Sequence, residues 1–190
     1  MKRKNVVILG STGSIGRSTA AVLRAHPERF RVAGLVARNS LSELAAQAAE
    51  FHPGTVITTD PARLAELKGL LPPGQACAAG FEAVQELVTA PETDIVLCAI
   101  VGTGGLEPVL AALRAGKQIA LASKEVLVMA GELVRRELDA SPGGSIVPVD
   151  SEHSAIFQCL AGRAPAEVKQ LWLTASGGPF RDWSAERVAA

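Results

Sequence analysis

Gly10, Gly13 and Gly16 stand three residues apart between an apolar stretch at 5–9 and a helical pattern at 14–26. A strand that ends in a glycine turn and runs straight into a helix is the opening of a βαβ unit. Apolar runs of strand length recur at 32–37, 55–58, 94–100, 118–122 and 145–149, with helical patterns between them at 41–51, from 60, and at 81–90, 106–115 and 125–140. The runs lack polar alternation, so the sheet they build is covered on both faces. The expected architecture is α/β, a Rossmann-like doubly wound parallel sheet over residues 1–150. Within 14–26, Ile15, Ala21, Val22 and Ala25 are available as a sheet-facing stripe. Asp60 and Pro61 suit the N-cap and first turn of a further helix.

Nineteen basic and nineteen acidic residues cancel, which removes any electrostatic case for nucleic acid or an anionic membrane. Anion binding, if present, is local. Cys77, Cys98 and Cys159 are odd in number and form no C-x-x-C pair, which suggests neither a disulfide framework nor a zinc knot and points to a reducing cytoplasm. The apolar run after Met1-Lys2-Arg3-Lys4 ends at Leu9, too short for a signal-peptide core, and no stretch is long enough to span a bilayer.

In its strand-turn-helix position, Gly10-Ser11-Thr12-Gly13-Ser14-Ile15-Gly16 suits a dinucleotide diphosphate. Glycines let backbone N–H groups approach the phosphates, and the helix start adds partial positive charge. The spacing is G-x-x-G-x-x-G rather than G-x-G-x-x-G, and a tight structural turn is the other reading. A Walker loop is disfavoured because no Lys-Ser/Thr follows the last glycine. The second strand ends in Ala37-Arg38-Asn39-Ser40, without the acidic residue that holds an NAD ribose. Arg38 beside Asn39 suits a 2′-phosphate and hence NADP(H), unless Arg38 is only a solvated loop charge.

Gly102-Thr103-Gly104-Gly105 either flanks the nicotinamide side or is a flexible turn. Ser123-Lys124-Glu125 places a cation and an anion after the strand at 118–122, as a ligand-facing pair or a surface ion pair. Asp150-Ser151-Glu152 follows the apolar 146–149. If its backbone is extended, both carboxylates share a face and could grip one hard divalent cation; otherwise Asp150 or Ser151 caps the helix-like 154–160. His153 is not read as a metal ligand. Thr174-Ala175-Ser176-Gly177-Gly178 offers donors for a phosphate or other oxyanion, or is a turn before Pro179. Ser184 reads as a cap on a helix beginning at 185.

Taken in order, GSTGSIG at 10–16, AIVG at 99–102, LASKEVLV at 121–128, PVDSEHSAIFQ at 148–158 and LTASGGPF at 173–180 resemble the 1-deoxy-D-xylulose 5-phosphate reductoisomerase family. The resemblance implies an NADPH-binding domain over 1–150 and the start of an α+β catalytic domain over 151–190. It implies rearrangement of 1-deoxy-D-xylulose 5-phosphate and NADPH-dependent reduction to 2-C-methyl-D-erythritol 4-phosphate, for isoprenoid precursors, with Mg²⁺, Mn²⁺ or Co²⁺. Carried over, Thr12, Gly13, Ser14 and Ile15 would wrap the cofactor diphosphate, and Arg38 and Asn39 would lie near its 2′-phosphate. Ser123 and Glu125 would stand on the cofactor side. Lys124 would approach the substrate's reacting oxygens, Asp150 and Glu152 would hold the metal, and Ser151, Glu152 and Ser176 would bind substrate. Lys124, Asp150 and Glu152 are thereby the expected catalytic residues.

The pattern departs at Ser123, where asparagine is common in the family, and at Arg38, where glycine is common. The family's chains continue into a third metal-binding carboxylate, a flexible loop and a helical domain, and full-length relatives are homodimers. The expectation is an N-terminal portion able to bind NADPH and inactive alone. A non-catalytic NADP-binding module is the competing class. Semialdehyde and homoserine dehydrogenases rank lower, since they give no reason to expect Val149-Asp150-Ser151-Glu152-His153.

Overall fold

The computed structural model describes residues 3–173, 178 and 180–189. The chain divides into two compact units, Met1–Val147 and Pro148–Ala190. In the first, strand β1 (Lys4–Leu9) lies at the centre of a seven-stranded sheet. Strands β2 (Phe30–Ala37), β3 (Thr55–Thr58) and β4 (Cys77–Ala79) extend it one way, and β5 (Ile95–Cys98), β6 (Gln118–Leu121) and β7 (Ser145–Pro148) the other. Every described pairing among β1 to β6 is parallel. Winding therefore reverses between β1 and β5, and the crevice above their carboxyl ends is where such sheets take ligands.

Helices α1 (Ser14–Ala25), α2 (Leu41–Phe51), α3 (Leu64–Leu70), α4 (Gly80–Thr89), α5 (Leu106–Arg114) and α6 (Glu125–Ala140) connect the strands. Val7, Ile8 and Leu9 are wholly buried, as are Leu35, Val36, Val56, Val96 and Ile119. Alternate side chains of a strand point to opposite faces, so complete burial of three successive residues in β1 requires cover on both sides. On one face Val7 and Leu9 join Val84 and Val88 of α4, Val109 and Leu113 of α5, and Val126 and Val134 of α6. The second unit contains α7 (Ser151–Leu160) and α8 (Ala185–Ala189), and Ser184 Oγ accepts the amide of Arg187 at 3.4 Å, the cap expected there. Among the described residues no helix is long and apolar enough to cross a membrane.

Three details differ from the sequence expectation. Strand β4 is additional: its three residues, Cys-Ala-Ala, are small and carry no β-branched signal, and pairing with β3 alone brings them into the sheet. Helix α7 begins at Ser151, three residues before the apolar pattern that suggested it. The buried stripe of α1 is Gly16, Ala20 and Leu23, whereas Ile15 is 37% and Val22 53% exposed. Only a residue without a side chain can face the turn beneath the helix start, so Gly16 sets the rotation and the i, i+4, i+7 series follows from it.

The rotation of α1 is testable by unfolding. Leu23→Ala is expected to cost about 2–5 kcal/mol, and Val22→Ala less than about 0.5 kcal/mol. Equal losses in a denaturant titration would contradict this placement.

Candidate functional site

The turn after β1 is built on close backbone approach. Gly10 has φ of +84°, and a Cβ there would meet the carbonyl oxygen of Ala99 at 2.6 Å. A Cβ on Gly16 would lie 2.3 Å from Gly10 O and 2.4 Å from Ser11 O, so the first turn of α1 sits directly on the loop. The amides of Gly10 and Ser11 both donate to Val36 O, at 2.9 and 3.0 Å, and Gln47 of α2 donates from Nε2 to Ser11 O at 3.0 Å. Gly13 is the N-cap of α1 and supplies no side-chain cap. The N–H groups of that first turn are thus left for an external acceptor, at the positive end of the helix.

This turn forms one wall of a cleft of about 690 Å³ at the β1/β5 switch point. Arg38 and Asn39 after β2, Thr59 after β3, Phe81 at the start of α4 and the 3₁₀ turn Gly102–Gly105 after β5 complete it. Open at the strands' carboxyl ends and walled by a glycine turn on one side, it suits a dinucleotide. Gly105 lies so close to Cys98 that a Cβ would come within 2.8 Å of Sγ. Burial pushes the Cys98 thiol up from its usual range, so it stays protonated and serves as packing.

In the second unit, Asp150 is the N-cap of α7, with extended φ and ψ of −72° and 159°. Its Oδ1 accepts the amide of His153 at 2.9 Å, and its Oδ2 faces His153 Nδ1 at 3.0 Å. The Asp150 side chain is only 10% exposed. Ser151 donates its hydroxyl to Glu152 Oε2 at 2.8 Å. Ser151 and Glu152 are already helical, which corrects the premise that an extended backbone would put Asp150 and Glu152 on one face. The capping reading holds, and it leaves both carboxylates within the first turn of one helix. Among the described residues no group of three His, Cys, Asp or Glu side chains is placed to hold a metal ion.

Comparison with known proteins decides the family. The family model described as 1-deoxy-D-xylulose 5-phosphate reductoisomerase matches residues 6–131, and the model of that family's C-terminal domain matches 146–190. The chain belongs to the 1-deoxy-D-xylulose 5-phosphate reductoisomerase family. A family member from Rhodospirillum centenum is 49% identical over 188 residues, covering 98% of this chain and 46% of its own. The Zymomonas mobilis reductoisomerase, solved in complex with NADPH, superposes with a TM-score of 0.86 at 38% identity, over 99% of this chain and 49% of that one. A reductoisomerase solved with NADPH, fosmidomycin and magnesium gives 0.83 at 42% identity, over 97% and 48%. The chain thus spans about half the length of the relatives it matches. The dehydrogenase alternatives fall with the family assignment.

Within this family member, Gly13, Arg38 and Asn39 line the cleft directly. Thr12 is half-buried and Ser14 and Ile15 are exposed in the same turn. Ser123 is buried, its hydroxyl donating to Ile100 O at 2.6 Å, so it ties the loop after β6 to the loop after β5. Lys124 and Glu125 are exposed at the start of α6. Ser176 lies outside the described residues. Four residues escaped the sequence reading: Phe81 and Thr59 as cleft wall, Gln47 beneath the glycine turn, and His153 against Asp150. Only His153 had a legible signal, its i+3 spacing from a capping aspartate.

The glycine turn makes a sharp prediction about sign. Gly16→Ala is expected to lower stability by about 1–3 kcal/mol, because the new methyl meets fixed carbonyls. Gly69→Ala, at an exposed position of α3 with nothing within 4 Å, should raise it by about 0.5–1 kcal/mol. Thermal unfolding of the two variants checks both.

Proposed function

We propose that this chain supplies the NADPH cleft and the first metal and substrate ligands of a 1-deoxy-D-xylulose 5-phosphate reductoisomerase. The reaction is rearrangement of the phosphosugar's carbon skeleton followed by reduction to 2-C-methyl-D-erythritol 4-phosphate, in isoprenoid precursor synthesis. The setting is a reducing cytoplasm, and the working enzyme is a homodimer.

The observation that carries this reading is convergence. The uncapped start of α1, the Gly10 turn and the Arg38-Asn39 loop border one cleft of dinucleotide size, in a chain of this family. Thr12, Gly13, Ser14 and Ile15 receive the diphosphate, with first-turn N–H groups of Ser14 and Ile15 as donors while the Gly13 amide is held by Gly10 O, and Arg38 and Asn39 receive the 2′-phosphate. When bound, NADPH supplies the hydride for the reduction. Ser123 and Glu125 set the cofactor side of the loop after β6, Ser123 by holding Ile100 O.

Asp150 and Glu152 fit a hard cation as two oxygen donors, and the His153 ring fixes the orientation of Asp150. A bound Mg²⁺, Mn²⁺ or Co²⁺ supplies Lewis-acid polarisation of substrate oxygens. Lys124 provides a cation for the reacting oxygens, while Ser151, Glu152 and Ser176 hold substrate. Six-coordinate cations take more donors than two carboxylates give, so metal binding by these residues alone is weak.

Two measurements test the proposal. Fluorescence titration should show clear preference for NADPH over NADH, and a preference for NADH would remove the cofactor assignment. For the metal, Asp150→Asn keeps a good helix cap and removes charge, whereas Asp150→Ala removes both. Asp150→Asn should retain stability while abolishing Mn²⁺ binding, and Asp150→Ala should also lose about 0.5–2 kcal/mol. Undiminished Mn²⁺ binding by Asp150→Asn would leave Asp150 as a cap alone.

A further inference from the structure

Arg63 ends the 3₁₀ turn Pro61–Arg63 after β3, 25 residues along the chain from Arg38. Its Nη1 donates to Asn39 O at 2.7 Å and to Arg38 O at 3.2 Å. Its Nε and Nη2 donate to Glu66 Oε2 and Oε1, at 2.8 and 2.6 Å. A guanidinium carries five N–H donors in a rigid plane, and these four bonds occupy most of them. The side chain is therefore committed to a carboxylate on one edge and two successive carbonyls on another, and is not itself available as a phosphate ligand.

The direction of those carbonyls matters. No cis peptide occurs in the described chain, and in a trans peptide C=O and N–H point oppositely. Drawing Arg38 O and Asn39 O onto Arg63 turns the amides of Asn39 and Ser40 the other way. Successive N–H groups turned to one side, beside an exposed guanidinium and an amide side chain, make an anion-binding loop. Arg38 and Asn39 both line the dinucleotide cleft.

We propose that Arg63, held by Glu66, is a positioning residue that orders the Arg38-Asn39-Ser40 loop for the 2′-phosphate of NADPH, and so helps set the preference for NADPH over NADH. The inference rests on the NADPH reading above. NADH shares every part of the cofactor except that phosphate, so the ratio of the two affinities isolates the loop from general damage to the cleft. Arg63 is two-thirds buried by its partners yet lies outside the core, so its loss leaves the sheet intact.

The experiment measures Kd for NADPH and NADH, with a thermal melt, for the wild type, Arg63→Ala, Arg63→Lys and Glu66→Gln. Arg63→Ala should weaken NADPH by about tenfold and NADH by less than about twofold. Glu66→Gln, which loosens the anchor but leaves the cation, should weaken NADPH by a smaller factor in the same direction. Arg63→Lys restores charge without a fork that reaches a carboxylate and two carbonyls together, so it should recover little. Full recovery by lysine would make the effect one of long-range charge and overturn positioning. An unchanged NADPH/NADH ratio in Arg63→Ala would overturn the inference while leaving the cofactor assignment standing. A wild type without NADPH preference would overturn both.

Discussion

The contact between the first turn of α1 and the loop after β1 governs the geometry of the cleft. A Cβ on Gly16 would stand 2.3 Å from Gly10 O, and one on Gly10 would stand 2.6 Å from Ala99 O. Three backbones, from β1, β5 and α1, therefore meet with no side chain between them. That approach brings the helix's unbonded N–H groups to the crevice at the switch point, where an anion can reach them. It also decides which face of α1 meets the sheet, since Gly16 must point down and Ala20 and Leu23 then follow it into the core.

The architecture was legible because its signals are local. Apolar runs without polar alternation mark strands covered on both faces, and β1, β2, β5 and β6 lie where those runs stand. The exceptions were set by tertiary contacts. β4 is a strand because β3 presents an edge to it, and its own Cys-Ala-Ala carries almost no propensity. In α1 hydrophobicity favours Ile15 and Val22 for the buried stripe, and the steric demand of the turn overrides it.

The cleft was legible in part, for the same reason. The glycine turn and Arg38-Asn39 announce themselves by residue type at strand ends. Phe81 follows a strand that sequence did not reveal, and Gln47 reaches Ser11 across 36 residues, so neither had a local signature. Asp150 shows how one residue can satisfy two readings. Its Oδ1 caps α7 while its Oδ2 faces His153, and a carboxylate fixed in this way is oriented before any ion arrives. Capping and metal binding are thus compatible roles, and the orientation that helix entry imposes is a form of preorganisation.

The Arg38-Asn39 loop carries the same logic to the cleft of the first unit. An exposed arginine by itself is a mobile charge, and much of its attraction for a phosphate is offset by the entropy of holding it still. Two carbonyls clasped by Arg63, itself clasped by Glu66, remove part of that freedom from the backbone beneath Arg38 in advance. Under the proposed assignment, discrimination between cofactors that differ by one phosphate would depend on a side chain that never touches the phosphate. In that assignment, residue type at the end of β2 would supply the attraction, and the anchor in the turn after β3 its direction.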